Sequence, residues 1–363
     1  MAKKLSSDQT LFTVTVALLG LGLVMVWSAS SAIGQETHGS PYHFLVKQVL
    51  WACLGLTTMA AAMRIDYRRL RQPSVVYSTL AATTILLILV LFLHPVNETH
   101  RWIRLGGLSL QPAEMAKVAV ILYLAYHLER RGDRVNEALT SLFPALLLLS
   151  WFAFLIFIQP DLGSAATLMA IGAAMLFLAG VRLRYFAGFG ILAVPVLYHA
   201  VMTAAYRRDR IEAFLHPWTD ARGSGYQIIQ SLIAVGTGGL HGVGLMEGHQ
   251  KLFYLPYPYS DFIYAVIGEE LGLLGASAVV AGFVLLLWRG IRAAWKAPDR
   301  FGMFLAAGLT LQIVLQALVN VSVVLGLLPT KGIPLPFISA GGSSLVITLT
   351  SVGLILNVSQ HAD

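Results

Sequence analysis

The sequence predicts an all-α polytopic membrane protein of about ten transmembrane helices, with a long extracytoplasmic loop between the seventh and the eighth. Three observations predict it. Of 363 residues, 57% are hydrophobic and only 12% are charged, about half the charge that a soluble domain carries. Apolar runs of about 20 residues, the length that crosses a bilayer, recur along the whole chain. The basic residues gather in alternate loops between those runs. That pattern makes the net charge of +7 a matter of orientation in the bilayer, and no nucleic-acid partner is expected.

The first apolar stretch, 11–33, is longer than the roughly 7–15 residues of a signal-peptide core, so it is read as the first helix. The other spans are 43–63, 75–94, 111–128, 140–158, 163–181, 185–203, 261–288, 301–327 and 340–358. The fifth and sixth form a hairpin across Gln159-Pro160-Asp161-Leu162-Gly163. An even number of spans leaves both termini on one side. Lys3, Lys4, Arg64, Arg68, Arg69, Arg71, Arg130, Arg131, Arg134, Arg182, Arg184, Arg289, Arg292, Lys296 and Arg300 all fall on that side, and they are most of the 25 basic residues. Such an excess marks the cytoplasm, so both termini are expected there. The single cysteine, Cys53, lies inside an apolar run and has no partner for an intrachain disulfide. Residues 1–363 are read as one membrane domain.

The outer side then carries the loop 95–110 and a longer one, 204–260. Loops of that length are uncommon in compact proteins and are often functional. Residues 226–235 form an amphipathic run suited to the membrane interface, and 236–244 are rich in glycine. Arg207, Arg208, Arg210, Arg222 and Lys251 are outer cations that the orientation rule does not explain. They suit either lipid headgroups or a phosphate-bearing substrate. His216, His241 and His249 match no zinc spacing.

Ionisable residues inside spans are costly, and each is a functional candidate. Glu114 and Lys117 are i and i+3 on the fourth span, so they share a face and can pair. The pair is either functional or a structural ion pair between helices, and both readings stay open. Asp161 stands just before the sixth span, where it could cap the helix. Glu269 and Glu270 are adjacent carboxylates about two turns into the eighth span, so one should face a cavity or a polar partner. Asp261 opens that span as a first-turn acid or cap. It lies about 12 Å along the axis from Glu269 and is turned by about 80°, so both could line one cavity that opens outward.

Several motifs together resemble one family. Met25-Val26-Trp27-Ser28-Ala29-Ser30 lies in the first span, and Arg101-Trp102-Ile103-Arg104-Leu105-Gly106 leads into Gln111-Pro112-Ala113-Glu114-Met115-Ala116-Lys117. The 159–163 hairpin follows, then Arg210, His216-Pro217-Trp218, Gly225-Tyr226-Gln227 and Gln250-Lys251-Leu252. Ser260-Asp261-Phe262-Ile263-Tyr264 opens the eighth span, and Pro329-Thr330-Lys331-Gly332 begins a stretch that runs through Pro334-Leu335-Pro336 to Gly341-Gly342-Ser343-Ser344. Taken together and in this order, they resemble the SEDS family (shape, elongation, division and sporulation). The Pro-Thr-Lys-Gly start looks more like the division branch than the elongation branch. The chain departs from the family pattern at 256–260, at Ala340 and at Ala113, none of which touches the acid named below.

The resemblance implies a multi-pass peptidoglycan glycosyltransferase of the bacterial inner membrane, acting at the division septum. It would polymerise lipid II outside the membrane and release undecaprenyl pyrophosphate. Its partners would be a class B penicillin-binding protein, other divisome proteins and membrane lipid. The family's catalytic acid falls on Asp261, and its cavity residues fall on Glu114, Lys117 and Asp161. Arg210 and Lys251, with Arg101, are the candidates to bind the pyrophosphate. Glu269, Lys331 and Ser343 complete the substrate-binding set. No cofactor is expected apart from a divalent cation, Mg or Mn, for which the sequence holds no dedicated ligand set. A lipid II flippase, the elongation paralogue with the same chemistry, and a non-catalytic division scaffold are the alternatives. A flippase needs polar groups at several depths, whereas a polymerase needs them near the outer face, and a scaffold has no need of Asp261.

Overall fold

The structure, a computed structural model, describes residues 7–93, 99–105 and 108–361. Lys3, Lys4, Gly106 and the 94–98 part of the third span and first outer loop lie outside the described residues. Each of the ten predicted segments is a helix: α1 (Gln9–His38), α2 (His43–Arg64), α3 (Pro73–Leu89), α4 (Pro112–Arg131), α5 (Phe143–Ile158), α6 (Leu162–Leu178), α7 (Leu183–Met202), and, beyond the long loop, α10 (Ile263–Trp295), α11 (Arg300–Val324) and α12 (Gly342–Gln360). Eight of these are long and apolar enough to cross a membrane, α3 and α5 once the helical turns that extend them to Phe92 and from Ala138 are included. The other two depart for different reasons. The α6 helix is apolar but only 17 residues long. The α4 helix carries Glu114 and Lys117 and is buried on nearly all sides. It tolerates those charges because protein surrounds them rather than lipid.

Proline at the first turn starts α3, α4 and α5, where its missing N–H costs nothing. Asp8, Asp161 and Asp299 cap α1, α6 and α11 with their side chains. The α4, α11 and α12 helices form the buried centre, with the most apolar stretches of α11 and α12 each two-thirds buried. In contrast, α7 is almost bare and meets little beyond the next helix. The backbone N–H of Asp8 donates to Ser359 Oγ, and Arg289 pairs with Asp8 at 2.7 Å. Asp8 and Ser359, near the two ends of the described residues, therefore lie at one end of the bundle. A two-stranded hairpin, β1 (Ile103–Leu105) with β2 (Leu108–Leu110), leads into α4 at the opposite end.

The 204–260 loop holds two helices, α8 (Ala205–Leu215) and α9 (Tyr226–Thr237). The amphipathic run is α9, packed through Ile228, Ile229, Ser231 and Ala234. The eighth span is not one continuous helix, because Gly272, at φ 65° and ψ −165°, breaks α10. The glycine-rich stretch fills that break. Val243 and Gly244 donate to the freed carbonyls of Glu269 and Glu270, and the carbonyls of Gly239 and Leu240 accept from Leu273 and Leu274. Buried backbone groups need such partners. A side chain at 242 would strike the Glu270 carbonyl, so the two backbones can touch only where glycine stands.

Candidate functional site

At the end of the bundle away from the termini, three non-helical segments converge. The first is 259–262, just before α10. Its backbone is fastened by Ala340 N–H to Tyr259 O at 2.9 Å, Ser339 Oγ to Ser260 O at 2.6 Å and Asn320 Nδ2 to Asp261 O at 2.8 Å. The second is 329–341, between α11 and α12, where prolines at 329, 334 and 336 exclude helix. The third is the α5–α6 turn.

The second and third of these segments, with Arg101 and residues 201–211, frame a cavity of about 210 Å³ lined by Arg101, Asp161, Tyr206, Arg207, Arg210 and Lys331, among others. Arg101 donates to the carbonyls of Gln159 and Pro160, so one cation is fixed to the rim by the α5–α6 turn. Arg210, from α8, donates to Thr330 O at 3.3 Å. Arg207 instead braces the α7–α8 corner, donating to Ala200 O and lying over the Phe157 ring. Burial pushes the Lys331 ammonium below its usual range, and Arg210 pushes the same way against the pull of Asp161. Asp161 is the cap of α6, accepting from Ser164 N at 3.0 Å and Ser164 Oγ at 2.8 Å.

Asp261 lies against Gly332, a residue of the cavity wall. It is not a helix cap: Phe262 occupies that position and makes no side-chain cap bond. Burial pushes its carboxyl up to about 6, against the opposing pull of Arg210 and Arg101. A partly desolvated carboxylate beside a cationic cavity can accept a proton near neutral pH, and the cations can hold a polyanion. Among the described residues, no three His, Cys, Asp or Glu side chains converge as a metal site would require.

Several predicted site residues lie elsewhere. Lys251 is not a free cation. It is 4% exposed and gives its ammonium to Glu270 at 2.6 Å and to Ser28 at 2.9 Å. Glu269 faces no cavity with Asp261, because its carboxylate accepts the backbone N–H groups of His249 and Gln250. Both acids of that adjacent pair thus tie the 246–251 loop to α10. Ser343 is buried, accepting from Gln111 N at the entry to α4. Glu114 and Lys117 pair at 2.8 Å, and Lys117 also donates to Gln316 at 2.7 Å. They border a void of about 10 Å³ that also touches Gly332, beneath the main cavity. The sequence reading missed Gln316 and Asn320, which bind the 333–334 segment. They are polar amides one turn apart inside an apolar span. Extending the search from charged to all polar residues within spans would have found them.

Comparison with known proteins agrees over nearly the whole chain. Residues 9–363 match the family described as "Cell cycle protein", of FtsW, RodA and SpoVE. The chain is 46% identical over 358 residues to "Probable peptidoglycan glycosyltransferase FtsW" of Geobacter sp. (strain M18), covering 98% of this chain and 97% of the relative. It is 40% identical to "Stage V sporulation protein E" of Bacillus subtilis (strain 168), covering 99% of each. A solved structure described as "Structural coordination of polymerization and crosslinking by a peptidoglycan synthase complex" superposes with a TM-score of 0.78 at 30% identity, covering 98% of both chains. The rod shape determining protein RodA of Thermus thermophilus does so at 0.71 and 28%, covering 98% of this chain and 97% of that one.

Proposed function

The chain belongs to the FtsW/RodA/SpoVE family of cell cycle proteins, and from that premise we propose how its cationic cavity serves glycan polymerisation. It is a peptidoglycan glycosyltransferase, closer to FtsW than to RodA. The substrate we assign is lipid II, whose polyprenyl tail lies in the bilayer while its disaccharide pyrophosphate reaches the cavity.

The reaction joins the 4-hydroxyl of an acceptor sugar to the anomeric carbon of the lipid-linked donor. The bond from that carbon to the pyrophosphate breaks. Asp261 takes the hydroxyl proton, as a general base must. Arg101, Arg210 and Lys331 hold the departing pyrophosphate, which already carries its charge and needs cations rather than a proton donor. The observation that carries this reading is the placement of Arg101, Arg210 and Lys331 around one cavity, with the raised carboxyl of Asp261 against its Gly332 wall. The cavity end of the bundle would face out of the cell, with both termini in the cytoplasm and the protein at the septum. A class B penicillin-binding protein would crosslink the strands, as the crosslinking activity of the similar synthase complex suggests.

The test is polymerisation of purified lipid II by the full chain together with its transpeptidase. Arg210→Ala should raise KM for lipid II with normal expression. Asp261→Ala should abolish polymer while lipid II still binds. Wild-type polymerisation by either variant would remove that residue from the mechanism.

A further inference from the structure

Gln316 and Asn320 stand one turn apart on α11, a mostly apolar helix, and both reach the 333–334 segment. Gln316 donates to Pro334 O at 3.0 Å. Asn320 uses both protons of its amide, one to Ile333 O and one to Asp261 O, each at 2.8 Å. The residue is buried, and its Oδ1 has no hydrogen-bond partner. One nitrogen thus bridges the segment that carries Lys331 and Gly332 to the segment that carries the base. Below it, Gln316 Oε1 accepts from Lys117, which is paired with Glu114. The two amides therefore connect the buried ion pair to the catalytic carboxylate through a single stretch of backbone.

We propose that Asn320 is a positioning residue for Asp261, fixing the distance between the base and the cation-bearing 331–333 segment. The inference rests on the reading of Asp261 as the base. Asn320 touches no substrate, so its action is through the backbone of Asp261. What marks the residue out is geometric: one amide nitrogen aims two donors at carbonyls on two separate segments. A serine could supply only one donor.

The groups that face Asp261 are Arg210 from α8, Arg101 from the segment before β1, Tyr259 on its own segment and the Gly332 backbone. Releasing the clamp lets the carboxylate move away from Gly332 toward water. Burial is what raises this carboxyl, so its titration should then move toward the ordinary carboxylate range.

The experiment measures steady-state lipid II polymerisation by full-length wild type, Asn320→Ala, Asn320→Ser and Asp261→Asn from about pH 5 to about pH 8, a window that spans such a titration. Asn320→Ala should lower kcat on the order of 10²-fold, the scale of a 1 Å misplacement, with KM nearly unchanged. The acid limb of its pH profile should move to lower pH. Asn320→Ser, with one donor left, should fall between, and it carries the test if the alanine variant does not fold. A folded Asn320→Ala or Asn320→Ser protein with wild-type kcat and an unmoved acid limb would overturn the clamp. A loss of kcat with the limb unmoved would also overturn it, leaving a structural amide. Polymerisation by Asp261→Asn at the wild-type rate would overturn the base reading itself, a result distinct from failure of the clamp.

Discussion

A methyl group on Gly332 would sit 3.0 Å from Oδ2 of Asp261, so the backbone of the 329–341 segment closes one side of that carboxylate. The base and a cation of the cavity, Lys331, therefore stand on facing segments that touch. Gly332 itself does not adopt a left-handed backbone, so alanine there meets crowding alone.

Gly332→Ala should consequently push the Asp261 carboxylate by a few tenths of an ångström. The expected loss is on the order of tenfold in polymerisation rate, because a 1 Å misplacement can cost about 10²-fold. The thermal midpoint should change little. A wild-type rate in the purified variant would show that the carboxylate has room to spare.

Asp261→Asn should be inactive and, at neutral pH, more stable than wild type. The sign follows from the raised carboxyl. The folded state holds its proton up to about 6, above the 3.8 of an ordinary aspartate. Between those values the folded chain binds more protons than the unfolded one, so this group's contribution to stability falls as pH rises. A neutral amide removes that cost. For the wild type, the same titration means that polymerisation should fall as pH drops through about 6, as the base becomes protonated. Thermal melts and pH–rate profiles check both. An acid limb near the ordinary range of a solvated aspartate would contradict the burial.

Glu114 and Lys117 should behave as one unit. Each is 2% exposed, and removing one partner of a buried pair costs roughly 3–5 kcal/mol. Glu114→Ala and Lys117→Ala should each lower folded yield more than the double variant does. Lys117→Ala should also loosen Gln316, and through it the 333–334 segment. Additive losses in a double-mutant cycle would mean that the two side chains do not interact.

Lys251→Ala should damage the protein without touching substrate affinity. It leaves Glu270 buried with only Ser28 and the Met246 N–H as partners, again a cost of roughly 3–5 kcal/mol. Folded yield should drop, while KM for lipid II in the surviving fraction stays at the wild-type value. A raised KM with normal stability would return Lys251 to the pyrophosphate site.

The sequence by itself determined the ten helices and their order, because hydropathy over about 20 residues is a local property that the bilayer enforces. Asp261 stood out as the candidate acid only through the family that its motif resembles. Asp161 as a cap and Glu114 with Lys117 as a pair were also legible, since each interaction spans three residues along the chain. Tertiary structure alone decided which cations are free. Arg210 and Lys251 look alike as outer basic residues in sequence. One lines the cavity, while the other pairs with Glu270 because the glycine-rich stretch folds into the break at Gly272. That break depends on backbone groups more than twenty residues apart, and no local pattern encodes them. The bridge from Asn320 to Asp261 spans 59 positions. It exists only because α11 passes beside two non-helical segments whose buried carbonyls need donors.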